Sequence, residues 1–549
     1  VPRRQLTDPR VKEPTHVNKA VQRLAPPLGA AMATVLLAAG CGSDSGSGAG
    51  SGDAVVMGMT DEVTAIDPAA GYDPGSWLVF NNVFQSLLSF PKGATEPEPE
   101  AAEECSFDDA GSRVYTCILQ DGLTFSNGSE LTSEDVKFSF ERTLGINDPA
   151  GPAIMLDSIE AIETPDERTV TFRLGYPDAT FPMKIASGAG SIVDSESYPE
   201  DKLREDGEAV GSGPYKLDSY QEGEEAVFSV YSGYQGTAEA QNSGMTLKLY
   251  GGDDGDDELK ADLENGDVDL AYRGLAMKDI AELQDQTGAG QQIKLVEGTS
   301  AEVQHLVFNM DDPVAGNPAV RKAFAYLIDR NALVREVYQG TAEELYSIVP
   351  AGITGHNTAF YDTYGDRPDP AMAEQVLRQA GIDDKVRVTL YATPERFGPG
   401  TVPSFELIAE QLNASGLFEA DVESVPLDEF DKGVKNGAYG VYVKGWVPDY
   451  PDPDNFTSPF FGEGNVLANN YDPGRITGEL IPAAAAQSER TATVDAYGEL
   501  QDIVADELPV IPLWQGKQYA AAKENILGLE WTLDASTVFR FWEISKGAE

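Results

Sequence analysis

The side chains able to do covalent or metal chemistry are few in this sequence and stand apart from one another. Its three histidines are His16, His305 and His356. That spacing excludes His-Glu-x-x-His helices and His-rich zinc sites. No Gly-x-Ser-x-Gly elbow and no P-loop occurs. One Ser-x-x-Lys is present, Ser89 to Lys92, but Pro91 stands where a nucleophile helix would begin. Neither Lys-Thr-Gly nor Ser-Asp-Asn accompanies it. The acidic run 253–257 (DDGDD) lacks the ligand spacing of a calcium loop. It reads instead as a helix start, with carboxylates at the positive end of the helix dipole. His305, inside the strand-like 303–308, reads as a packed core histidine. No catalytic residue, metal or cofactor is assigned, and no enzymatic activity is expected.

Charge narrows the partners. The 549 residues carry 39 Lys+Arg against 91 Asp+Glu, a formal net charge of −52, with no basic run. Nucleic-acid binding rests on Lys and Arg displacing counterions, so nucleic acid is excluded as a partner. An anionic membrane surface is disfavoured for the folded body by the same argument. The length calls for two to four domains, and 41% apolar with 9% aromatic residues is enough to give them cores.

The front of the chain reads as an address. Lys19 and Arg23 precede an unbroken apolar core, 30–39, too short to span a bilayer. Small residues lead into Cys41 and a Gly/Ser-rich stretch. This gives a signal over 1–40 and a tether over 41–53. The junction resembles a bacterial lipobox, which implies lipidation of Cys41 and contact with the membrane through that anchor alone. It departs from the lipobox at Ala38, where leucine is usual; Leu37 stands one place further out. The competing reading is an ordinary cleaved signal with a chance cysteine. Without 1–40 the balance becomes 33 basic against 89 acidic residues, −56. Cys105 and Cys117 flank a turn-like Asp-Asp-Ala-Gly, and in an exported protein the pair reads as a disulfide across a hairpin. Such a closure is worth about 3 kcal/mol on loop entropy. A zinc pair is the competitor, without a third or fourth ligand nearby.

The elements behind these residues alternate between strand and helix. Strands are expected over 55–59, 169–174, 268–271 and 441–447, and helices over 77–90, 257–263, 318–338 and 404–412. Thr132 followed by Asp135 reads as a helix start. On the 318–338 helix, Val320, Phe324, Leu327, Ile328 and Leu333 form the buried side. Arg321, Asp329 and Arg330 fall on its polar side and are read as fold-holding residues. The acidic, proline-rich 94–100 reads as an exposed connector.

Several stretches together resemble the oligopeptide/dipeptide-binding family of extracytoplasmic solute receptors of ABC importers. They are Asp67-Pro68 with 82–88 (NVFQSLL), 120–136 (QDGLTFSNGSELTSEDV), 211–217 (GSGPYKL), 317–330 (NPAVRKAFAYLIDR), 445–456 (GWVPDYPDPDNF) and 507–514 (ELPVIPLW). They occur in the family's order across nearly the whole chain beyond the tether. The resemblance implies an α/β, two-lobed, periplasmic-binding-protein-like fold with an inserted domain, three domains in all. Lobe I would comprise 54–84, 210–300 and 508–549, inserted domain II 85–209, and lobe II 301–507.

It also implies a site. The family binds peptides by strand augmentation in an interlobe cleft, and the strand over 441–447 offers such an edge. An Asp three residues after the tryptophan pairs with the ligand's α-ammonium there, which points to Asp449 beside Trp446, with Gly445 and Val447 contributing backbone. The alternative for Asp449 is a turn cap. Tyr72 lies where lobe I lines the cleft, and Trp514 ends a strand returning to that lobe. Arg396 is either a partner for a ligand carboxylate or half of a surface ion pair. The expected partners are a peptide or other small solute and an ABC permease with its ATPase. The receptor is expected to be a monomer on the outer face of a bacterial cell membrane. Two alternatives stay open: the same fold with a non-peptide cargo such as a metal chelate or oligosaccharide, and an exported cell-wall hydrolase.

Overall fold

A computed structural model describes residues 53–252, 254–285, 292–394 and 396–547. The signal 1–40, Cys41 and all but the last residue of the tether lie outside the described residues.

The chain opens with strand β1 (Val55–Met59) and helix α1 (Pro74–Val83). Strands β2 (Ala102–Phe107) and β3 (Val114–Leu119), helix α2 (Ser133–Ile146), and strands β4 (Ile159–Asp166) and β5 (Thr169–Leu174) follow. Next come β6 (Tyr215–Gln221), β7 (Glu225–Val230), β8 (Gly244–Leu249), helix α3 (Gly255–Asn265) and β9 (Leu270–Tyr272). The long strand β10 (Ile293–Phe308) leads to helix α4 (Pro318–Leu327), β11 (Ala342–Glu344), β12 (Val386–Ala392), β13 (Phe418–Ser424) and β14 (Val441–Trp446). A second long strand, β15 (Val510–Lys523), ends the set.

Two sheets organise these elements. Eleven strands run in the order β13-β12-β14-β10-β15-β9-β1-β8-β7-β6, with β11 beside β15. Four more, β2-β3-β5-β4, form a separate antiparallel sheet, where Cys105 and Cys117 face each other across β2 and β3 and are disulfide-bonded. Three principal apolar cores sit on this frame. One gathers Met57, Phe80, Leu247 and Phe541; a second gathers Leu119, Val136, Phe140 and Phe172; the third gathers Phe308, Phe324, Ile408 and Phe418. Each such side chain contributes about 1.5–3 kcal/mol on burial.

Two strands pass between the first and third cores. The first part of β10, Ile293 to Thr299, pairs with Lys523 to Lys517 of β15, and Val303 onward pairs with Gln515 and the residues before it. Between them Ser300, Ala301 and Glu302 oppose the single residue Gly516, a bulge that bends the ribbon and breaks its side-chain alternation. We call this crossing between the first and third cores the hinge. The change of core therefore comes at Gly516 rather than at 508: Leu508, Val510, Ile511, Leu513 and Trp514 all pack in the lobe II core.

Local differences from the sequence expectations have local causes. The helix expected over 77–90 starts earlier, at Pro74, because Asp73 caps it by accepting from the Ser76 N–H at 2.8 Å. It ends at Val83, whose carbonyl accepts from the Gly213 N–H at 2.9 Å. The 211–217 segment lies so close to that turn that a Cβ on Gly211 would fall 2.2 Å from the Val83 carbonyl oxygen. The helix expected over 318–338 breaks after Leu327. Ile328 and Asp329 are extended, and the Asp329 carboxylate caps the next turn by accepting from the Ala332 N–H at 3.0 Å. Arg321 and Arg330 are buried, not on a polar side, although both hold the fold. Arg321 donates to the Glu507 carbonyl, and Arg330 donates to the Pro512 carbonyl at 2.7 Å while its guanidinium stacks over Tyr346. The Thr132–Asp135 start is a capping box, the Thr132 N–H donating to the Asp135 carboxylate at 2.9 Å. Glu100, expected in an exposed connector, is buried and accepts from Tyr234, Gln85 and Thr237.

Candidate functional site

A cavity of about 370 Å³ lies between the lobes beside the hinge. Its polar walls are Asp73, Arg273, Glu302, Arg396, Lys444 and Asp449, and its aromatic walls are Tyr72, Trp77, Tyr272, Phe397, Trp446 and Phe539. The volume falls within the range of roughly 300–1,000 Å³ found for small-molecule sites.

Strand β14 delivers the central residues. It pairs with β10 along its whole length, Val441 to Trp446 against Phe308 to Val303. Its other edge meets β12 only at Val441 and Tyr442. From Val443 to Trp446 that edge has no strand partner among the described residues, so backbone amides and carbonyls are available to an extended ligand. Gly445 is required by packing: Phe397 lies against it, and a Cβ there would stand 2.7 Å from the phenyl ring.

Asp449 follows on the loop that leaves β14. Asn455 organises that loop from a short 3-10 turn, Pro453–Phe456. Its side-chain oxygen accepts from the Trp446 indole and from the Asp449 amide, both at 2.9 Å, while its NH₂ donates to one Asp449 oxygen at 3.1 Å. The other Asp449 oxygen accepts from the Tyr72 hydroxyl at 2.8 Å. Tyr72 comes from the opposite lobe, on the turn before α1, and its ring leans on Trp77, whose indole donates to the Gly71 carbonyl. Burial lifts the Asp449 carboxyl above its ordinary range despite these hydrogen bonds and the pull of Lys184. An incoming cation would reverse that penalty and gain a charge-assisted bond.

The carboxylates around Asp449 have other duties. Asp452 is tied bidentately to the buried Arg490 at 2.6 and 2.8 Å. Asp454 is buried and accepts from the Tyr450 hydroxyl at 3.0 Å. Tyr450 itself packs into the core of the inserted domain, and the Ala179 N–H donates to the Ala485 carbonyl alongside it.

The basic side of the cavity is Lys444, which makes no hydrogen bond or ion pair among the described residues. Burial, with the Arg396 guanidinium nearby, pushes its ammonium down to about 8. Arg396 lines the cleft but is occupied by a bidentate pair with Asp431 at 3.0 and 3.1 Å. Arg273 is paired with Asp61, whose carboxylate raises its pKa further. Lys444 was missed in the sequence because a lysine in a strand is ordinary; its one signal is its place two residues before Trp446.

The sequence-selected residues thus divide. Tyr72, Arg396, Gly445, Trp446, Val447 and Asp449 share one cavity. Trp514 does not line it: the residue is 5% exposed, its ring packs tilted against Tyr338 with centroids 4.7 Å apart, and its indole donates to the Gln304 side chain at 3.2 Å. Its strand does return toward lobe I, but this residue faces the lobe II core. His305 is buried, edge-on to Phe460, and among the described residues neither ring nitrogen has a hydrogen-bond partner; burial pushes it down to about 3. Among the described residues no group of His, Cys, Asp and Glu suits a metal ion, and no helix is long and apolar enough to cross a membrane.

Residues 96–467 match the family described as bacterial extracellular solute-binding proteins, family 5 (middle region). The chain belongs to that family. The dipeptide-binding protein of Escherichia coli (strain K12) is 25% identical over 488 residues, covering 83% of this chain and 87% of the relative. Heme-binding protein A of Haemophilus influenzae is also 25% identical, over 83% of this chain and 85% of its own length. Among solved structures, the binding protein DppA of Helicobacter pylori, in complex with the peptide STSA, superposes with a TM-score of 0.73 at 22% identity, over 91% of this chain and 99% of that one.

Proposed function

We propose that this receptor binds small peptides in the interlobe cleft and hands them to the permease of an ABC importer without covalent chemistry. One observation carries the reading: Asp449 presents a carboxylate into the cleft, aimed by Asn455 from its own lobe and Tyr72 from the other. A peptide's α-ammonium is its natural partner, the free edge of Val443 to Trp446 takes the peptide backbone, and Lys444 receives the α-carboxylate. A neutral sugar would leave both charges buried and uncompensated, at a cost that peptides avoid. The dipeptide-binding relatives support the same cargo. Closure follows because a ligand touching both lobes favours the state in which both contacts exist. The three-domain division and the monomeric state belong to this proposal, as does the lipid anchor at Cys41 on the outer face of the membrane.

Native mass spectrometry of the purified protein should reveal co-purified peptide. Calorimetry with one peptide, amino-free and amino-acetylated, tests the Asp449 role: the acetylated form should bind about 100-fold more weakly. Equal affinities would sink that assignment.

A further inference from the structure

Of the three carboxylates that line the cleft, Asp449 is assigned to the amino group and Asp73 caps α1, which leaves Glu302 without a use. It sits in the bulge of β10 opposite Gly516, where the two hinge strands lose their pairing and a side chain can be re-aimed into the cleft. Among the described residues its carboxylate makes no hydrogen bond and no ion pair. The charges it senses are those of Arg273 and Asp61, which are already paired with each other. A carboxylate held in such surroundings without a partner is costly unless something supplies a cation. Burial accordingly raises its proton affinity above the ordinary range.

Apart from Asp73, which caps α1, and from Arg273 and Arg396, which are paired with Asp61 and Asp431, the charges of the cavity fall at three places. Asp449 lies toward Tyr72 and Lys184, Lys444 toward Arg396 and Asp431, and Glu302 toward Arg273 and Asp61. The pattern is negative, positive, negative. We propose that Glu302 is a second cation subsite at the hinge, selecting peptides that carry a basic side chain besides the free amino group received by Asp449. The inference rests on the peptide reading and narrows its substrate class. A lysine or arginine side chain, long and flexible, can run along the aromatic wall and reach the hinge with its charge.

The test compares lysine with norleucine, which matches its chain without the charge. Calorimetry on the purified chain would use Ala-Lys, Lys-Ala, Ala-norleucine and norleucine-Ala. The better lysyl peptide should bind about tenfold or more tightly than its norleucyl partner, the scale of a hydrogen bond to a charged group. In Glu302→Gln that ratio should fall to within about twofold, and Glu302→Asp should keep part of it. Equal binding of the two classes by the unaltered protein overturns the inference and leaves the peptide reading standing, as does a ratio that survives Glu302→Gln. Should neither class bind, the peptide reading fails and this inference with it. The comparison on the unaltered protein is decisive even where a variant folds poorly.

Discussion

Trp446 and Trp514 flank strand β10 from opposite sides, and they differ in what they face. Trp446 stands opposite Val303 and Trp514 opposite Gln304, consecutive residues whose side chains leave the sheet in opposite directions. One indole therefore reaches the cleft and is fixed there by Asn455; the other turns into the lobe II core against Tyr338. Two tryptophans on the strands either side of β10 are separated by a single step of register. A cleft-lining residue and a core residue are told apart by which neighbour they share, not by their type.

The largest expected effect breaks the core half of that comparison. Trp514→Ala should cost about 3–5 kcal/mol of stability in denaturant unfolding, while the folded protein keeps peptide affinity within about threefold. A collapse of affinity at intact stability would return Trp514 to the site. Asp449→Asn should do the opposite: affinity for an amino-free peptide falls about 100-fold, or 2–3 kcal/mol, and the unfolding free energy moves by less than about 1 kcal/mol.

Lys444 gives a pH-dependent version. With its ammonium pushed down to about 8, it loses charge as pH rises through that value, and carboxylate binding should weaken with it. A folded pKa below the unfolded one means the unfolded chain holds more protons between about pH 8 and 10.4, so fold stability should rise over the same window. The ligand's amine titrates nearby, so the useful quantity is the difference between the unaltered protein and Lys444→Met. Affinity should fall more steeply above pH 8 in the former; parallel curves would remove Lys444 from the ligand's carboxylate. Smallest is Tyr72→Phe, which deletes one neutral donor to Asp449 and should cost about 1 kcal/mol, roughly fivefold in affinity.

What the sequence made legible was contiguous. Trp446 and Asp449 sit in one short segment, and the cap at Thr132 and Asp135 is a spacing within a single turn. Strands such as Val55–Met59 and Thr169–Leu174 announce themselves by composition. What stayed hidden depends on long-range pairing. Tyr72 meets Asp449 only because two lobes close on each other. Glu302 enters the cleft only because a bulge interrupts β10, and no periodicity in 293–308 marks where the partner strand will slip. Trp514 was placed on the wrong side for the same reason: in a strand apolar on both faces, composition gives no side. Arg330 shows the reverse error, a charge assigned to the polar face that is buried by a carbonyl and a tyrosine ring.

Tyr450 ties one region of the molecule to another. One residue beyond Asp449, its ring belongs to the core of the inserted domain while its backbone belongs to lobe II. A movement that parted lobe II from that domain would draw this ring out of an apolar interior, at about 1.5–3 kcal/mol for a side chain of that kind. That is a factor of roughly ten to one hundred in population. A receptor that opened this way would carry part of its closing free energy on an aromatic plug outside the cavity wall, so affinity could be altered at a residue that does not line the cleft.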